Sequence, residues 1–414
     1  MTTVKRWFTS PASLFLLFSF AVVIGVSLVL YLNERHFTKP TVRITADNVD
    51  QLELIIHLRV YSTEARNRWG TEIQFSDDSR ILSLSTLDGA MVWDVIEGRK
   101  LLHVKHDAIC AESRCESLSR KNWPPPNSHA QDVSPNGKWL ALGISRADFN
   151  DLQLWDIESG QMVRSFGRNS GLQALSFSPD GEYLIYTSQD EANACAGLCA
   201  LHMPTNKYLR IGDADSDQLV SVQLDFTADG QTLIYSAPDG IHGFDLVTRE
   251  RWMLIENPYP VISLDLSPDD SHIAVMNGIW GRTSVHTSVW EMSTHEILFE
   301  APQHWLETSL MQVAFSPDGN LLITSSDAGS WVWDSRTGIQ RHQLEMGNRW
   351  FQFHPEGQFV ASKRSQNVFI HDPLTGNLIR TFNSDNYFIG DQVAFSPDGT
   401  MLVTSEGEIW GIPQ

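Results

Sequence analysis

Cysteine is scarce in this chain, which holds only four cysteines among 414 residues. Cys110 and Cys115 form one close pair, and Cys195 and Cys199 form another. In an oxidising compartment these would be disulfides, and of the three possible connectivities the bonds between sequence neighbours are the simplest, Cys110–Cys115 and Cys195–Cys199. Neither pair has the C-x2-C spacing typical of zinc sites, which disfavours zinc, and free thiols in a cytosolic domain are the remaining alternative.

Charged residues are absent from Trp7 to Asn33. Within this stretch the segment LFLLFSFAVVIGVSLVLYL (14–32) is apolar except for two serines, and a helix of that length crosses about 30 Å of hydrocarbon. The following VLYLNERHF lacks the small-x-small cleavage site of a signal peptide, which favours an uncleaved anchor. We therefore expect a tail over 1–12, a transmembrane helix over 13–32 and a linker over 33–43.

Basic residues are also few, since 30 Lys and Arg face 50 Asp and Glu, for a net charge of −20. Residues 1–43 carry a net +4, which leaves 25 basic and 49 acidic residues in the remainder, a net of −24. Such a body repels phosphate backbones, so we expect no nucleic-acid partner. The charges flanking the apolar run are nearly balanced and do not set its orientation, but the two cysteine pairs beyond it favour a single-pass protein with an extracytoplasmic body.

Motifs of catalysis and metal binding are absent as well. The sequence contains no H-E-x-x-H, no G-x-S-x-G and no phosphate-cradling glycine loop. The acidic loop DADSD (213–217) alternates carboxylates as calcium loops do, but Gln218 and Leu224 stand where an EF-hand needs Gly and Glu. We therefore predict no catalytic residue, no metal and no cofactor.

What the sequence does contain is a recurring turn. QVAFSPDG occurs at 312–319 and again at 392–399, with Ser, Pro and Gly at the turn positions where a type I turn favours them. The counterparts of this turn elsewhere are FSDDS (75–79), VSPNG (133–137), FSPDG (177–181), FTADG (226–230), LSPDD (266–270) and FHPEG (353–357). The last residues of neighbouring turns lie 38 to 58 positions apart. Eight units of this period indicate a repeat architecture.

Each unit predicts four strands. The turn joins two short strands, as in QVAF and LLITSS, into a hairpin. A third strand ends in a second signature, which leads by an acidic residue and Gly into a fourth strand such as NLIRTF. The copies of this signature are MVWDVIEG (91–98), LQLWDIESG (152–160), SVWEM (288–292), WVWDSRTG (331–338) and VFIHDPLTG (368–376).

These two signatures resemble those of the tryptophan-aspartate (WD) repeat family of β-propellers, over about residues 44–414. The matching pairs are Trp93 with Asp94, Trp155 with Asp156, and Trp333 with Asp334. The buried hydrogen-bond network of that family has one plausible copy, formed by His304, Ser325, Asp327 and Trp333. The resemblance implies an all-β fold, an eight-bladed β-propeller of four-stranded antiparallel blades, here preceded by one transmembrane helix.

The last unit stops at EIWGIPQ, after its third strand. The segment VDQLELIIHLRVYS (49–62) is strand-like and has no place in the first unit. Because an open propeller would expose strand edges, we expect 49–62 to supply the outer strand of the last blade.

Two classes of function are compatible with this architecture. The resemblance implies a membrane-tethered, non-catalytic platform for protein–protein interaction. The alternative is a propeller enzyme or ligand sensor, similar to a quinone-dependent dehydrogenase or a hydrolase, with its site in the central channel. Among the inner strands identified from the sequence, only Asp225 and Asp265 are acidic, which favours the platform because no site is visible.

Insertions concentrate in connections that a propeller places on one face, those between blades and those between second and third strands. They cover 107–130, 146–151, 189–198, 277–287 and 302–309. Their aromatic residues without a blade position are Trp123, Phe149, Trp280 and Trp305. Large aromatics are enriched at interface hot spots, so we expect this face to bind a protein partner, with Trp123 and Trp280 as anchors. The alternative is that these rings only cover their own loops.

Overall fold

The computed structural model describes residues 39–58, 72–86, 89–105, 131–145, 150–169, 174–188, 197–212, 222–257, 259–278, 285–304, 312–326, 329–344, 350–364, 366–384 and 392–413. Within these ranges the strands form eight antiparallel sheets of four strands each, and the only helix is a 3-10 turn, Val49–Gln51. None of the described residues forms a helix long and apolar enough to span a membrane. The predicted span, 13–32, lies outside the described residues.

The strands are numbered in chain order, and consecutive strands from β2 onwards form blades 1 to 8. Blades 1 to 4 contain β2 (Ile73–Phe75), β3 (Ile81–Thr86), β4 (Gly89–Asp94), β5 (Arg99–Lys105); β6 (Gln131–Val133), β7 (Trp139–Ser145), β8 (Asn150–Asp156), β9 (Gln161–Asn169); β10 (Leu175–Phe177), β11 (Tyr183–Ser188), β12 (Gly197–His202), β13 (Lys207–Gly212); and β14 (Leu224–Phe226), β15 (Thr232–Ala237), β16 (Gly240–Asp245), β17 (Arg251–Glu256). Blades 5 to 8 contain β18 (Val261–Leu266), β19 (His272–Gly278), β20 (Val285–Glu291), β21 (Ile297–His304); β22 (Gln312–Phe315), β23 (Leu321–Ser326), β24 (Gly329–Asp334), β25 (Gln340–Leu344); β26 (Phe351–Phe353), β27 (Val360–Arg364), β28 (Asn367–His371), β29 (Leu378–Asn383); and β30 (Val393–Phe395), β31 (Met401–Thr404), β32 (Glu408–Gly411), β1 (Glu53–His57). The ring is therefore an all-β, eight-bladed propeller, as the sequence predicts.

The recurring turn joins the first and second strands of each blade. In blade 6, Ser316 donates its hydroxyl hydrogen to Asp318 at 2.5 Å and accepts the backbone N–H of Leu321 at 2.9 Å. The backbone N–H of Gly319 donates to the carbonyl of Ser316 at 2.8 Å and so closes the turn. Gly319 has a φ of +71°, a conformation that favours glycine. The hydroxyl of a Ser or Thr makes the equivalent bond to Asp or Asn in six other blades. Local side-chain chemistry thus explains why this turn is repeated.

The Trp-Asp signature has two separate roles. The carboxylate of Asp94 accepts the backbone N–H groups of Ile96 and Glu97, each at 2.9 Å, and so forms the turn between third and fourth strands. Trp333 is 1% exposed and donates its indole N–H to the hydroxyl of Thr324 at 2.9 Å. The indole therefore binds Thr324 rather than the predicted Ser325, and the other predicted members, Asp327 and the side chain of His304, lie outside the described residues. Trp333 lies opposite Leu322, and the indole reaches the diagonal neighbour two residues further on the same side of the strand.

The hydrophobic core lies between the blades. A typical cluster joins Ile234 and Ile241 of blade 4 to Ile273 and Val275 of blade 5, and all four are at most 1% exposed. Each sheet is thus apolar on both faces, and burial of these faces drives the blades together.

The ring is closed by a strand from the other end of the chain. β1 pairs antiparallel with β32, with Glu53 opposite Gly411 and His57 opposite Glu408. A continuous cluster of buried side chains then joins blade 8 to blade 1, and it includes Leu58. Because the first strand completes the last blade, the two ends of the propeller stabilise each other.

Candidate functional site

The residues predicted to bind a partner, Trp123, Phe149, Trp280 and Trp305, all lie outside the described residues. Three of the four cysteines, Cys110, Cys115 and Cys195, lie outside them too, and so does the acidic loop 213–217. Cys199 lies in β12 and is fully buried. Both predicted disulfides and the predicted anchors of the partner face therefore stay predictions.

The site that the structure does describe is the wall of the central channel. The first strand of each blade is an edge strand, so every second backbone N–H points away from the sheet. In blade 3 the N–H of Ser178 bonds within the sheet, to Tyr183, and that of Phe177 points to the channel. An edge N–H without an acceptor costs free energy, and this propeller supplies the acceptors from side chains of neighbouring blades.

Asp132, in the middle of β6, joins blade 2 to blade 3. One carboxylate oxygen accepts the N–H of Phe177 in blade 3 at 2.7 Å, and the other accepts the N–H of Val133 in its own strand at 2.9 Å. A single carboxylate thus satisfies one edge N–H group on each side of the junction.

Asp225 makes the same connection between blades 4 and 5, and Asp265 makes it between blades 5 and 6. Asp225 accepts the N–H of Phe226 in its own strand and that of Leu266 in blade 5, both at 2.8 Å. Asp265 accepts the N–H of Phe315 in blade 6 at 2.7 Å. The two acidic residues that the sequence analysis singled out are therefore structural clasps between blades 4, 5 and 6.

Side-chain amides take over this role in the following blades. Gln352, in the middle of β26 as Asp132 is in β6, accepts the N–H of Phe395 in blade 8. Gln312, at the start of β22, accepts the N–H of Phe351 in blade 7 at 3.1 Å. Neutral and ionisable acceptors thus occupy equivalent positions, which shows that the clasp needs an oxygen rather than a charge.

Glu72 and Gln131 form a reciprocal pair between blades 1 and 2. The Glu72 carboxylate accepts the backbone N–H of Gln131, and the Gln131 amide donates to the Glu72 carbonyl, both at 2.9 Å. Gln131 also accepts the hydroxyl hydrogen of Ser83 at 3.0 Å. The Glu72 carboxylate, the Glu72 carbonyl and the Gln131 amide thus each have a partner across the junction.

Burial shifts the protonation of these channel carboxyls. Desolvation raises the pKa of Glu72 to about 7, that of Asp132 to about 7 and that of Asp225 to about 6, and the hydrogen bonds from backbone N–H groups lower each pKa only in part. Burial and the nearby charge of Asp225 raise the pKa of Asp265 well above its ordinary value. The channel wall therefore takes up protons close to neutral pH.

Sequence reasoning missed part of this ring. It named Asp225 and Asp265 as the only acidic residues of the inner strands, and that statement is wrong because Asp132 lies in β6. The signal was present, since QDV directly precedes the turn that begins SPNG. Glu72 lies one residue before β2, where no strand pattern draws attention to it.

A buried ion pair joins blades 7 and 8 where their second strands end. Lys363, in β27, places its ammonium 2.6 Å from the carboxylate of Glu406, in the turn after β31, and both side chains are at most 1% exposed. Glu406 also accepts the hydroxyl hydrogen of Ser405 at 3.3 Å. Burial raises the pKa of Glu406 to about 7, against the attraction of Lys363, which lowers it. The pair joins blade 7 to blade 8 on the face that carries the insertions.

The chemistry of the described residues is that of blade connection. The oxygens of the channel carboxyls accept backbone N–H groups, and among the described residues no group of three or more His, Cys, Asp or Glu side chains is placed to hold a metal ion. Perturbed pKa values accompany functional sites in many enzymes, but structural networks produce them too. Here geometry assigns them to the network.

A family model matches one repeat of this chain. Residues 296–334 match the model described as WD domain, G-beta repeat. The matched stretch begins with β21, the outer strand of blade 5, and continues through β22, β23 and β24 of blade 6. The sequence repeat is thus offset by one strand from the structural blade, which is why a strand from the amino-terminal end completes blade 8.

Two known proteins are similar to this chain in sequence. The chain is 24% identical over 217 residues to the WD repeat-containing protein WDS homolog of Arabidopsis thaliana, which covers 49% of this chain and 35% of that protein. It is 26% identical over 258 residues to apoptotic protease-activating factor 1 of Mus musculus. The matched stretch covers 61% of this chain and 19% of that protein. The chain therefore spans about a third or less of the length of these relatives.

A solved structure described as "Structure of Dos1 propeller" superposes with a TM-score of 0.62 at 14% identity, and covers 89% of this chain and 97% of that one. At this identity the likeness concerns the fold alone. The family match, the relatives and the eight blades together support a WD-repeat propeller.

Proposed function

We propose that this protein is a membrane-tethered, non-catalytic platform for protein–protein interaction, with the propeller on the extracytoplasmic side of the membrane. The observation that carries the non-catalytic role is the use of the channel carboxylates. Asp132, Asp225 and Asp265 each accept backbone N–H groups across a blade junction, and so they hold the ring together. WD-repeat propellers generally bind protein partners, which supports the platform.

The alternative is a propeller enzyme or ligand sensor with its site in the channel. Such a site needs side chains that point at a ligand rather than at the neighbouring blade. The raised pKa values of Glu72 and Asp132 are the one observation in its favour. Heat released on titration of the protein with a quinone cofactor or an ester substrate, with loss of the signal in Asp132→Asn, would favour this alternative.

The proposed partner surface is the face that carries the insertions, with Trp123 and Trp280 as anchors and with Phe149 and Trp305 beside them. Replacement of Trp123 or Trp280 by Ala should weaken capture of a co-purifying protein by about 2 kcal/mol, the threshold for a hot spot, with no change in melting temperature. The matched controls are Arg336→Ala and Glu158→Ala, both on exposed short turns of the opposite face. Loss of capture in the controls alone would assign the partner to that opposite face.

The proposed topology is one transmembrane segment over 13–32, with the carboxyl terminus outside the cytoplasm. It is supported by the apolar run and by the cysteine pairs that follow it. Two reporters fused to the carboxyl terminus test it, one active only in the cytoplasm and one active only outside. Activity of the cytoplasmic reporter would reverse the orientation.

The proposed disulfides are Cys110–Cys115 and Cys195–Cys199. Peptide mapping without reduction, after alkylation of free thiols, should recover both cross-linked peptides. Four alkylated cysteines would contradict the pairs and remove much of the support for an extracytoplasmic propeller.

A further inference from the structure

The chain enters the propeller on the face that carries the short turns. Lys39 places its ammonium 2.7 Å from the carboxylate of Asp398, in the first turn of blade 8. Ile44 is fully buried and donates its backbone N–H to the carbonyl of Gly399, in the same turn, at 2.9 Å. The first described residues are therefore fixed beside turns between first and second strands.

A second set of contacts holds this segment at blade 7. Arg43 forms an ion pair with Glu356, in the first turn of blade 7. The guanidinium of Arg380 donates to the carbonyls of Val49 and Leu52, both at 2.7 Å. Residues 39–52 thus lie across the junction of blades 7 and 8 before the chain turns into β1.

The direction of β1 assigns the faces. Glu53 lies opposite Gly411, the last residue of β32, and His57 lies opposite Glu408, the first. β32 begins at the connection between second and third strands, so β1 runs from the short-turn face to the face with the insertions. All that precedes β1 in the described chain is on the short-turn side.

The predicted membrane span ends at residue 32, and six residues lie between it and Lys39. The seven Cα–Cα steps from residue 32 to Lys39 reach roughly 23–25 Å when fully extended. The seven-residue strand β7, which runs from one face of the ring to the other, is roughly 23 Å long. A link that passed around the edge of the ring would have to cover this height and also the roughly 10 Å from the first turn of blade 8 to its outer strand, which together exceed its reach, so the face with the insertions cannot lie against the membrane.

The outer rim of the short-turn face exposes large aliphatic side chains. Four of them are in the connections between third and fourth strands, Ile96 at 51%, Val247 at 69%, Ile339 at 65% and Leu374 at 60% exposed. Exposed apolar pairs follow at the start of outer strands, namely Met162 and Val163, Ile297 and Leu298, and Leu378 and Ile379. Scattered apolar residues on a surface need no explanation, but a rim of them on one face indicates a contact surface.

The inner turns of the same face are acidic. Asp180, Asp229 and Asp318 are exposed there, closer to the axis than the aliphatic rim. Anionic lipid headgroups would repel these carboxylates, whereas neutral headgroups would not. The surface therefore suits a neutral bilayer better than an anionic one.

Since it rests on the membrane tether proposed above, the following inference deepens that proposal. We propose that the short-turn face lies against the lipid bilayer, with the aliphatic rim in contact with neutral headgroups, and that the face with the insertions points away from the membrane. The tether, the entry point of the chain and the exposed rim then all belong to one side of the ring.

Blade 4 offers a matched pair of positions for the test. Val247 precedes β17 on the short-turn face, and Tyr259 follows β17 on the other face, where it is 58% exposed. The full chain carrying Val247→Cys or Tyr259→Cys is labelled with an NBD maleimide and reconstituted into phosphatidylcholine vesicles that contain brominated lipid. The chain without either substitution is labelled in parallel, and its signal from native cysteines is subtracted.

We expect blue-shifted NBD emission that is quenched by brominated lipid at position 247, and emission as in buffer at position 259. Quenching at 247 should diminish when phosphatidylserine is added. Flotation with vesicles after an alkaline carbonate wash is measured first, because a chain that does not float refutes the tether and with it this inference. A chain that floats but shows equal quenching at both positions, quenching only at 259 or none at either refutes the orientation and leaves the tether standing.

Discussion

Asp132 offers a direct test of how the blades are joined. Its two carboxylate oxygens accept the N–H groups of Phe177 and Val133, at 2.7 and 2.9 Å, across the junction of blades 2 and 3. In Asp132→Asn the side chain keeps its size and one oxygen, loses the other acceptor and no longer ionises. We expect the variant to be less stable than the wild type below about pH 4 and more stable than the wild type at neutral pH.

The magnitude follows from the shift in pKa. Burial raises the pKa of Asp132 from 3.8 to about 7, so between these values the folded chain holds a proton that the unfolded chain has released. The contribution of Asp132 to stability is therefore present at low pH and is lost as pH rises from about 4 to about 7. Across this whole range the loss is roughly 4 kcal/mol, at about 1.36 kcal/mol per unit.

The hydrogen bond that Asp132→Asn loses favours the wild type at low pH. One neutral hydrogen bond contributes about 1 kcal/mol. The wild type should thus be favoured by about 1 kcal/mol near pH 3, and Asp132→Asn by roughly 3 kcal/mol near pH 7.5. The two stability curves should cross between about pH 4 and about pH 5.

Urea unfolding followed by tryptophan fluorescence at each pH measures this difference. Asp229→Asn is the matched control, because Asp229 lies in an exposed turn where the N–H of Gln231 and the hydroxyl of Thr227 lower its pKa. Its contribution to stability is lost only as pH falls below 3.8, so its curve should stay parallel to that of the wild type above about pH 5. A parallel curve for Asp132→Asn as well would refute the assignment of a protonated clasp.

Three further substitutions test other contacts in thermal melts near pH 7.5. Lys363→Met should lower the free energy of unfolding by about 3 kcal/mol because Glu406 stays buried without its ammonium partner. Adding Glu406→Gln to this variant should recover most of the loss. A double variant as unstable as the single variant would contradict the ion pair. Trp333→Phe should cost about 1 kcal/mol through loss of the indole hydrogen bond, and a loss no larger than that of an exposed substitution would show that this bond is dispensable. Leu52→Ala should cost about 2–5 kcal/mol because Leu52 is 1% exposed, whereas the exposed Leu54→Ala should cost far less; equal losses would mean that this segment does not hold the last blade.

The fold was predictable because its signals are local. The bond from Ser316 to Asp318 and the positive φ of Gly319 need only a four-residue turn, so the turn can be read from sequence wherever it recurs. The same holds for Asp94, whose carboxylate satisfies N–H groups two and three residues ahead. Eight copies of such turns at a regular period leave little choice other than a propeller.

The channel ring was less predictable because its signals are tertiary. Asp132 belongs to a strand of three residues, too short to show an alternating pattern, and its partner Phe177 lies 45 positions away. Lys363 belongs to the stretch ASKR, which suggests an exposed strand end, but its ammonium pairs with Glu406 of the next blade in the interior. The hydroxyl that binds Trp333 was misassigned by one residue because the choice between Thr324 and Ser325 depends on which face of the strand each occupies.

The offset between sequence repeat and structural blade links closure of the ring to its orientation. Because each repeat begins with the outer strand of the preceding blade, β1 must lie at the outer edge of blade 8 and must run antiparallel to β32. That direction makes β1 start on the short-turn face, so the chain before it, held by Lys39 and Ile44, leaves from the same face. A tether attached at this end therefore presents the opposite face, where the insertions lie, to partners away from the membrane. The strand that stabilises the ring would in this way also set which surface is free to bind.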